Sequence, residues 1–279
     1  MSDRHERDFW DRRAAAWERR ADALSAFSDG YGIPAMDALH VERGEVVLDV
    51  GCGPGTTAIE LAARVMPDGR VVGVDISPAM IAAATRRAAK AGVGNARFVA
   101  VDAQTGDLGD HFDAAYSRFG VMFFVDPPAA FANIHRALRP GGRFACVVWG
   151  QLTDNPWMFV PTLAAAQVLE ADLTIPKPSE PGPFSLAEEG RIASLLHEAG
   201  FVDITLDVVT DSRIILSATA NDEICTLLEV GPLGEAFDTA DADTRQAAID
   251  SVLGAIEPYR DGDAWRLPGS ALKVTARRP

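Results

Sequence analysis

The chain is short of cysteine, of basic residues relative to acids, and of long apolar runs, and each shortage closes a class of function. Cys52, Cys146 and Cys225 are its only cysteines. They stand without pairing or metal-ligand spacing, so no disulfide framework and no metal site is expected, and a reducing compartment, the cytoplasm, is. No uninterrupted apolar stretch reaches bilayer length, and the opening Met1-Ser2-Asp3-Arg4-His5-Glu6-Arg7-Asp8 is too charged for a signal peptide, so no membrane partner is expected. With 26 Lys and Arg against 40 Asp and Glu, the formal net charge of -14 works against a nucleic acid partner, whose phosphates need a basic surface. The remaining composition, 279 residues of which 48% are hydrophobic, suffices for one enlarged domain with a sizeable core.

Against this background one stretch stands out: Val46-Val47-Leu48-Asp49-Val50-Gly51-Cys52-Gly53-Pro54-Gly55-Thr56-Thr57. The apolar, β-branched run predicts a buried parallel strand, the glycines a tight turn, and Thr56 or Thr57 the cap of a following helix. A dinucleotide fingerprint needs a third spaced glycine where Thr56 stands, and a P-loop needs a lysine that is absent between Gly51 and Thr57. Asp49 would repel a pyrophosphate but favours a ligand with positive charge. A cationic, nucleoside-containing ligand fits these residues.

Asp49 to Gly55 resemble motif I of the class I S-adenosylmethionine-dependent methyltransferases, acidic-x-Gly-x-Gly-x-Gly. Three further motifs follow in family order. Val71-Val72-Gly73-Val74-Asp75-Ile76-Ser77 closes a second strand on a carboxylate twenty residues past Gly55, matching the family's ribose-binding acid. A bidentate acceptor suits two neighbouring hydroxyls. The alternative for Asp75 is a helix N-cap before Ser77-Pro78. The next strand, Ala96 to Ala103, again ends on an acid; the resemblance implies that Asp102 and the amide of Ala103 read the amino edge of adenine, with Ile76 and Met80 on its face. Read alone, Asp102 is a loop aspartate, and Ile76 and Met80 are core residues. Phe112 to Phe124 and Leu138-Arg139-Pro140-Gly141-Gly142 through Trp149 resemble motif IV and the fifth-strand signature. Ser117 and Phe119 then fall beyond the carboxyl end of strand four, where open α/β sheets hold ligands. Asp49, Gly51, Cys52 and Gly53 are implied to seat the methionine end of S-adenosylmethionine, with S-adenosylhomocysteine as product and no metal.

Strand and helix patterns alternate from Val46 to Trp149, so the predicted fold is doubly wound α/β, a seven-stranded, mostly parallel, Rossmann-like sheet with helical lid insertions. The expected organisation is an amino-terminal helical cap over residues 1–42, a cofactor-binding core over 43–150, a lid insertion and helix over 151–200, strand six over 201–216, a second helical lid insertion over 217–262, and a final strand over 263–279. The cap reads as an amphipathic helix around Phe9-Trp10 and Trp17, then a second helix after Tyr31-Gly32-Ile33-Pro34. Trp17 is a candidate cofactor contact by resemblance; ordinary core packing is its alternative. Residues 150–190 carry a stiff loop, Pro176-Lys177-Pro178-Ser179-Glu180-Pro181-Gly182-Pro183, followed by a helix from Leu186 to Ala199.

An enclosed apolar pocket favours a displacement in which a sulfonium loses its charge. Met122, Phe123, Trp157 and Phe159 are candidate substrate-lining residues, and each could equally be core. The expected activity is methyl transfer to a small, at least partly apolar molecule through oxygen, nitrogen or carbon, by a monomer or homodimer. No catalytic base is assigned; His135, on a helix beginning at Asp126-Pro127-Pro128, and Tyr31 are the weak candidates. Two rivals are an NAD(P)-dependent oxidoreductase, which would share the sheet and the ribose acid, and a non-catalytic S-adenosylmethionine-binding protein. The Asn-Pro-Pro-Tyr motif of base- and glutamine-methylating relatives is replaced by Ser117-Arg118-Phe119-Gly120.

Overall fold

A computed structural model describes residues 3–173, 177 and 180–279. Of the proline-bearing loop expected at 176–183, Pro176, Pro178 and Ser179 lie outside the described residues. The chain divides into two compact units, the first comprising Met1–Gly150, Pro176–Val209 and Ala271–Pro279, the second Gln151–Ile175 and Thr210–Ser270.

In the first unit α1 (Asp3–Ala38) precedes β1 (Val46–Val50), α2 (Thr56–Arg64), β2 (Arg70–Asp75), α3 (Pro78–Lys90), β3 (Ala96–Ala100), β4 (Phe112–Arg118), α4 (Pro127–Ala137) and β5 (Leu138–Trp149). The strands order as β3-β2-β1-β4-β5, all parallel; Val47 of β1 pairs with Val71 of β2 on one side and Ala114 of β4 on the other. Beyond β5 lie β8 (Ala264–Arg277), antiparallel to it, and then β6 (Val202–Leu216), both of which cross the division between the units. The sheet follows from the sequence because Val47, Leu48 and Val50, like Phe144 to Val148, are buried, as strands covered by helices on both faces require. Each such side chain contributes roughly 1.5–3 kcal/mol.

The α4 start is as predicted: Asp126 Oδ1 accepts from the Ala129 amide at 3.1 Å, with Pro127 in the first turn. At α3 the cap is Ser77 rather than Asp75. Ser77 Oγ accepts from the Met80 amide at 3.1 Å and donates to Asp11 of α1 at 2.5 Å, so one hydroxyl both starts a helix and ties down another. Replacing Ser77 by alanine should lower stability by about 1–2 kcal/mol, visible as a lower melting temperature.

Four expectations are corrected. The amino-terminal segment is one helix, not two: Pro34 lies inside it, although its ring removes a hydrogen bond and crowds the preceding turn. Tertiary ties hold this stretch helical, with Tyr116 Oη donating to the Gly32 carbonyl at 2.8 Å and Arg118 bridging to Asp29 at 2.8 Å. At α2 the cap position is Gly55, at φ 86°, and neither threonine caps. The helix expected from Leu186 is α6, Glu189–Glu198, three residues shorter at its start. Finally, β8 begins at Ala264 and pairs with a two-residue strand β7 (Arg260–Asp261) across Gly262-Asp263, a hairpin turn that opens on a left-handed glycine; among the described residues the sheet therefore has eight strands.

The second unit contains α5 (Pro156–Val168), α7 (Ala220–Val230), α8 (Gly234–Thr239) and α9 (Ala242–Ile256). Leu228, Leu233, Phe237, Ile249 and Val252 are buried and Val230 is half-buried, and Ser251 of α9 donates to the Ala164 carbonyl of α5 at 3.0 Å. Among the described residues no helix is long and apolar enough to cross a membrane.

Candidate functional site

The strand order reverses between β1 and β4, and this switch point is where doubly wound sheets leave a crevice at their carboxyl ends. The loop from Gly51 to Gly55 lies there. Gly51, Gly53 and Gly55 have φ of 68°, 51° and 86°, a left-handed backbone that side chains resist. The amides of Gly51 and Cys52 both donate to the Val74 carbonyl, at 2.9 and 3.0 Å, fixing the loop against β2. A Cβ on Gly51 would stand 3.0 Å from the Gly120 Cα, whereas one on Gly53 would meet nothing within 4 Å, so the loop is packed beneath and open above. Cys52 is buried, which holds its thiol neutral; it fills space.

Two of the three sequence-predicted acids frame this loop. Asp75, the last residue of β2, accepts from the Gly53 amide at 3.0 Å and the Ser77 amide at 2.9 Å. Burial raises its pKa to about 6 against the opposing pull of those two bonds. Asp49 is fully buried beneath the loop, where Thr57 Oγ1 donates to its Oδ2 at 2.6 Å. Its Oδ1 is buried with no hydrogen-bond partner in the protein. Desolvation lifts its pKa to about 7, although the Thr57 bond and the Arg118 charge work the other way. A partnerless buried carboxylate oxygen is costly unless a ligand completes it, and a cationic donor is the kind of group that would. β3 stops at Ala100, short of the end expected at Ala103, so Asp102 lies two residues past it; its Oδ1 accepts from the backbone and side-chain nitrogens of Gln104 at 2.9 and 3.0 Å. Ala103 is buried and its carbonyl accepts from Asn133, while Ile76 is half-buried and Met80 buried under α3's first turn.

The other predicted residues separate into groups. Ser117 Oγ donates to the Val50 carbonyl at 2.7 Å, tying the end of β4 to that of β1. Phe119 follows in a left-handed conformation, φ 58°, and stacks on Trp149 with ring centroids 3.9 Å apart and planes within 11°. Tyr31 is buried edge-on to both rings. Met122 is core: its Sδ accepts from the Trp149 amide and its carbonyl from Ser185. Phe123 meets Trp10 edge-on at 4.9 Å, and Trp10 meets Trp17 at 5.7 Å; the indole nitrogen of Trp17 is buried without a hydrogen-bond partner. Trp157 and Phe159 lie on α5 of the second unit, where Trp157 Nε1 donates to the Asn155 carbonyl oxygen of the side chain at 3.0 Å.

His135 does not join the site. It sits three residues before β5 begins, at the amino ends of the parallel strands, packed edge-on against Phe201, and burial lowers its pKa. Conversely, sequence reading missed Trp10, Asp11 and Trp149. Asp11 accepts from Ser77 Oγ and the Ala79 amide at 3.2 Å, docking α1 beside Asp75.

A doubly wound sheet with its acids and left-handed glycines at the switch point has the geometry of a nucleoside-cofactor-binding domain. A methyltransferase domain matches residues 47–142. The chain is 30% identical over 206 residues to a nocamycin O-methyltransferase of Saccharothrix syringae, spanning 66% of this chain and 71% of that one. It is 38% identical over 120 residues to an aklanonic acid methyltransferase of a Streptomyces species, spanning 43% and 54%. The chain belongs to the class I S-adenosylmethionine-dependent methyltransferases. It spans about half the length of most curated relatives it matches, from 37% to 71%. The fold is shared with a phosphoethanolamine N-methyltransferase of Haemonchus contortus solved with S-adenosylhomocysteine, at a TM-score of 0.53 and 18% identity over 88% of this chain and 52% of that one.

Proposed function

We propose that the protein transfers a methyl group from S-adenosylmethionine to a small, at least partly apolar acceptor. The observation that carries this is the unpartnered Oδ1 of Asp49 under an open glycine loop flanked by Asp75. In this reading Asp75 receives the two ribose hydroxyls, Asp102 and the Ala103 amide hold adenine between Ile76 and Met80, and Asp49, Gly51, Cys52 and Gly53 seat the methionine end. Trp17 offers its free indole N–H to the same end. When bound, the cofactor supplies an electrophilic methyl on a sulfonium. The protein's part is to hold that methyl in line with a nucleophile and keep water away.

Phe123 and Trp10, which meet edge-on, would line the acceptor side. The names of the two curated relatives, which act on nocamycin-type and aklanonic acid substrates, support a small acceptor, and the charge of -14 supports one other than nucleic acid. A cytoplasmic monomer or homodimer fits this role. The test is S-adenosylhomocysteine release over a panel of phenolic, enolic, carboxylic and amine acceptors. Product with any of them is the expected result. Cofactor binding without product across the panel would favour a sensor, and tight binding of a nicotinamide dinucleotide instead would favour the oxidoreductase.

A further inference from the structure

The proposed function explains the acids and the glycines but leaves one arrangement without a task. Phe119 holds a left-handed backbone that a bulky side chain adopts only under compulsion. Two contacts enforce it. Its amide donates to the Val147 carbonyl at 2.9 Å, and the next residue, Gly120, is pressed against Gly51 so closely that a Cβ on Gly120 would stand 2.9 Å from the Val50 carbonyl and 3.1 Å from the Gly51 Cα. The consequence is a phenyl ring one residue away from the loop that seats the cofactor's methionine end.

The ring is also backed. Trp149 covers one face at 3.9 Å, and Tyr31 abuts the edge, centroid to centroid 6.4 Å. Trp149 and Tyr31 are buried, at 6% and 0% exposure, while Phe119 stays half-buried. The accessible surface of this trio is therefore on Phe119, on the side away from Trp149. A strained, rigidly backed aromatic ring, one residue from the Gly120 contact with the Gly51 loop, offers a face that attracts positive charge. Arg118, the adjacent cation, is turned away from it and bound to Asp29 at 2.8 Å.

Resting on the proposed cofactor, we infer that the free face of Phe119, stiffened by Trp149, reads the positive charge at the sulfonium position, so that the protein distinguishes the charged cofactor from its neutral demethylated product. Both ligands share the ribose, adenine and methionine contacts; the methyl group and the charge it confers on sulfur separate them, and sinefungin carries a charge there without the sulfonium. A cation on an aromatic face, partly desolvated, is worth a factor of about three to thirty in affinity.

The experiment is calorimetric and needs no acceptor. Dissociation constants for S-adenosylmethionine, S-adenosylhomocysteine and sinefungin, which carries an ammonium near the sulfonium position, are measured on the wild type and on Phe119→Leu. The expected result is a loss of about three- to thirtyfold for the two cations, with S-adenosylhomocysteine changed less than about twofold. Because leucine could disturb the loop, the same titrations are run with 3,4,5-trifluorophenylalanine at position 119, which keeps the ring and weakens its quadrupole. Selective loss for the cations there supports the inference. Equal weakening of all three ligands in both proteins, or no change in any, overturns it. Wild-type protein that binds none of the three would instead defeat the cofactor assignment itself, a distinct outcome.

Discussion

Replacing Asp75 by alanine is expected to weaken S-adenosylmethionine binding by on the order of 2–4 kcal/mol, roughly 30- to 900-fold in the calorimetric dissociation constant. Two charge-assisted hydrogen bonds to the ribose would be lost. The structure adds a second contribution, because the same carboxylate accepts from the Gly53 and Ser77 amides and so holds the glycine loop and the α3 start in register. Asp75→Asn separates the two. It keeps an oxygen for one amide and the shape of the side chain, but loses the charge and half of the acceptor capacity, so its loss should fall between wild type and alanine. The folded state should survive in both, since Asp75 is a carboxylate that burial already makes harder to ionise. An unchanged dissociation constant in Asp75→Ala would place the ribose elsewhere.

The glycine loop and its acids were legible because the chemistry forces particular residue types into short spans. A left-handed turn needs glycine, and a ribose or a cation needs a carboxylate, so the pattern survives without any knowledge of the fold. Asp11, Trp10 and Trp149 were not legible because they reach the site across long stretches of chain. Asp11 meets Ser77 66 residues away, and nothing around Asp11 records that meeting. The amino-terminal helix shows the same limit on local signals: Gly30, Gly32 and Pro34 argue for a break, and contacts from Tyr116 and Arg118 override them. For His135 the information was available. A residue just before a parallel strand must lie at that strand's amino end, opposite the ligand crevice, so its position in the chain excludes it from the reacting atoms whatever its pKa.

Trp149 has a related lesson. The fifth-strand signature ends on Trp149, a buried core residue that also backs Phe119. The Leu-Arg-Pro-Gly-Gly segment launches β5 from the far end of the sheet, and the twelfth and last residue of the strand is the indole delivered to the site. Length and register, rather than a motif at the site itself, set that placement.

The second large effect concerns Asp49 and pH. In the ligand-free protein its pKa is about 7, against an ordinary aspartate value of about 4 in the unfolded chain. Between those values the folded state binds the proton more tightly than the unfolded state does, so stability is greatest below about pH 4 as far as this group is concerned. It is lost progressively as pH rises to about 7 and is constant above. At about 1.4 kcal/mol per unit the difference amounts to about 4 kcal/mol as an upper bound. Asp49→Asn removes the titration. Above pH 7 the variant should be more stable than wild type by about 1–4 kcal/mol, the lower figure allowing for the loss of the strong Thr57 bond to a carboxylate. A shallower slope should persist in the variant, ending near pH 6, from Asp75. Thermal melts of ligand-free protein from pH 4 to 8.5 read both. A cationic ligand beside Asp49 favours its ionised form, so binding near pH 7 should release a proton, and the binding enthalpy of wild type should vary with the ionisation heat of the buffer. Asp49→Asn should lose that dependence and bind more weakly. A wild-type melting temperature that is flat across this range, together with a buffer-independent enthalpy, would show that Asp49 is already ionised and that its free oxygen awaits no cation.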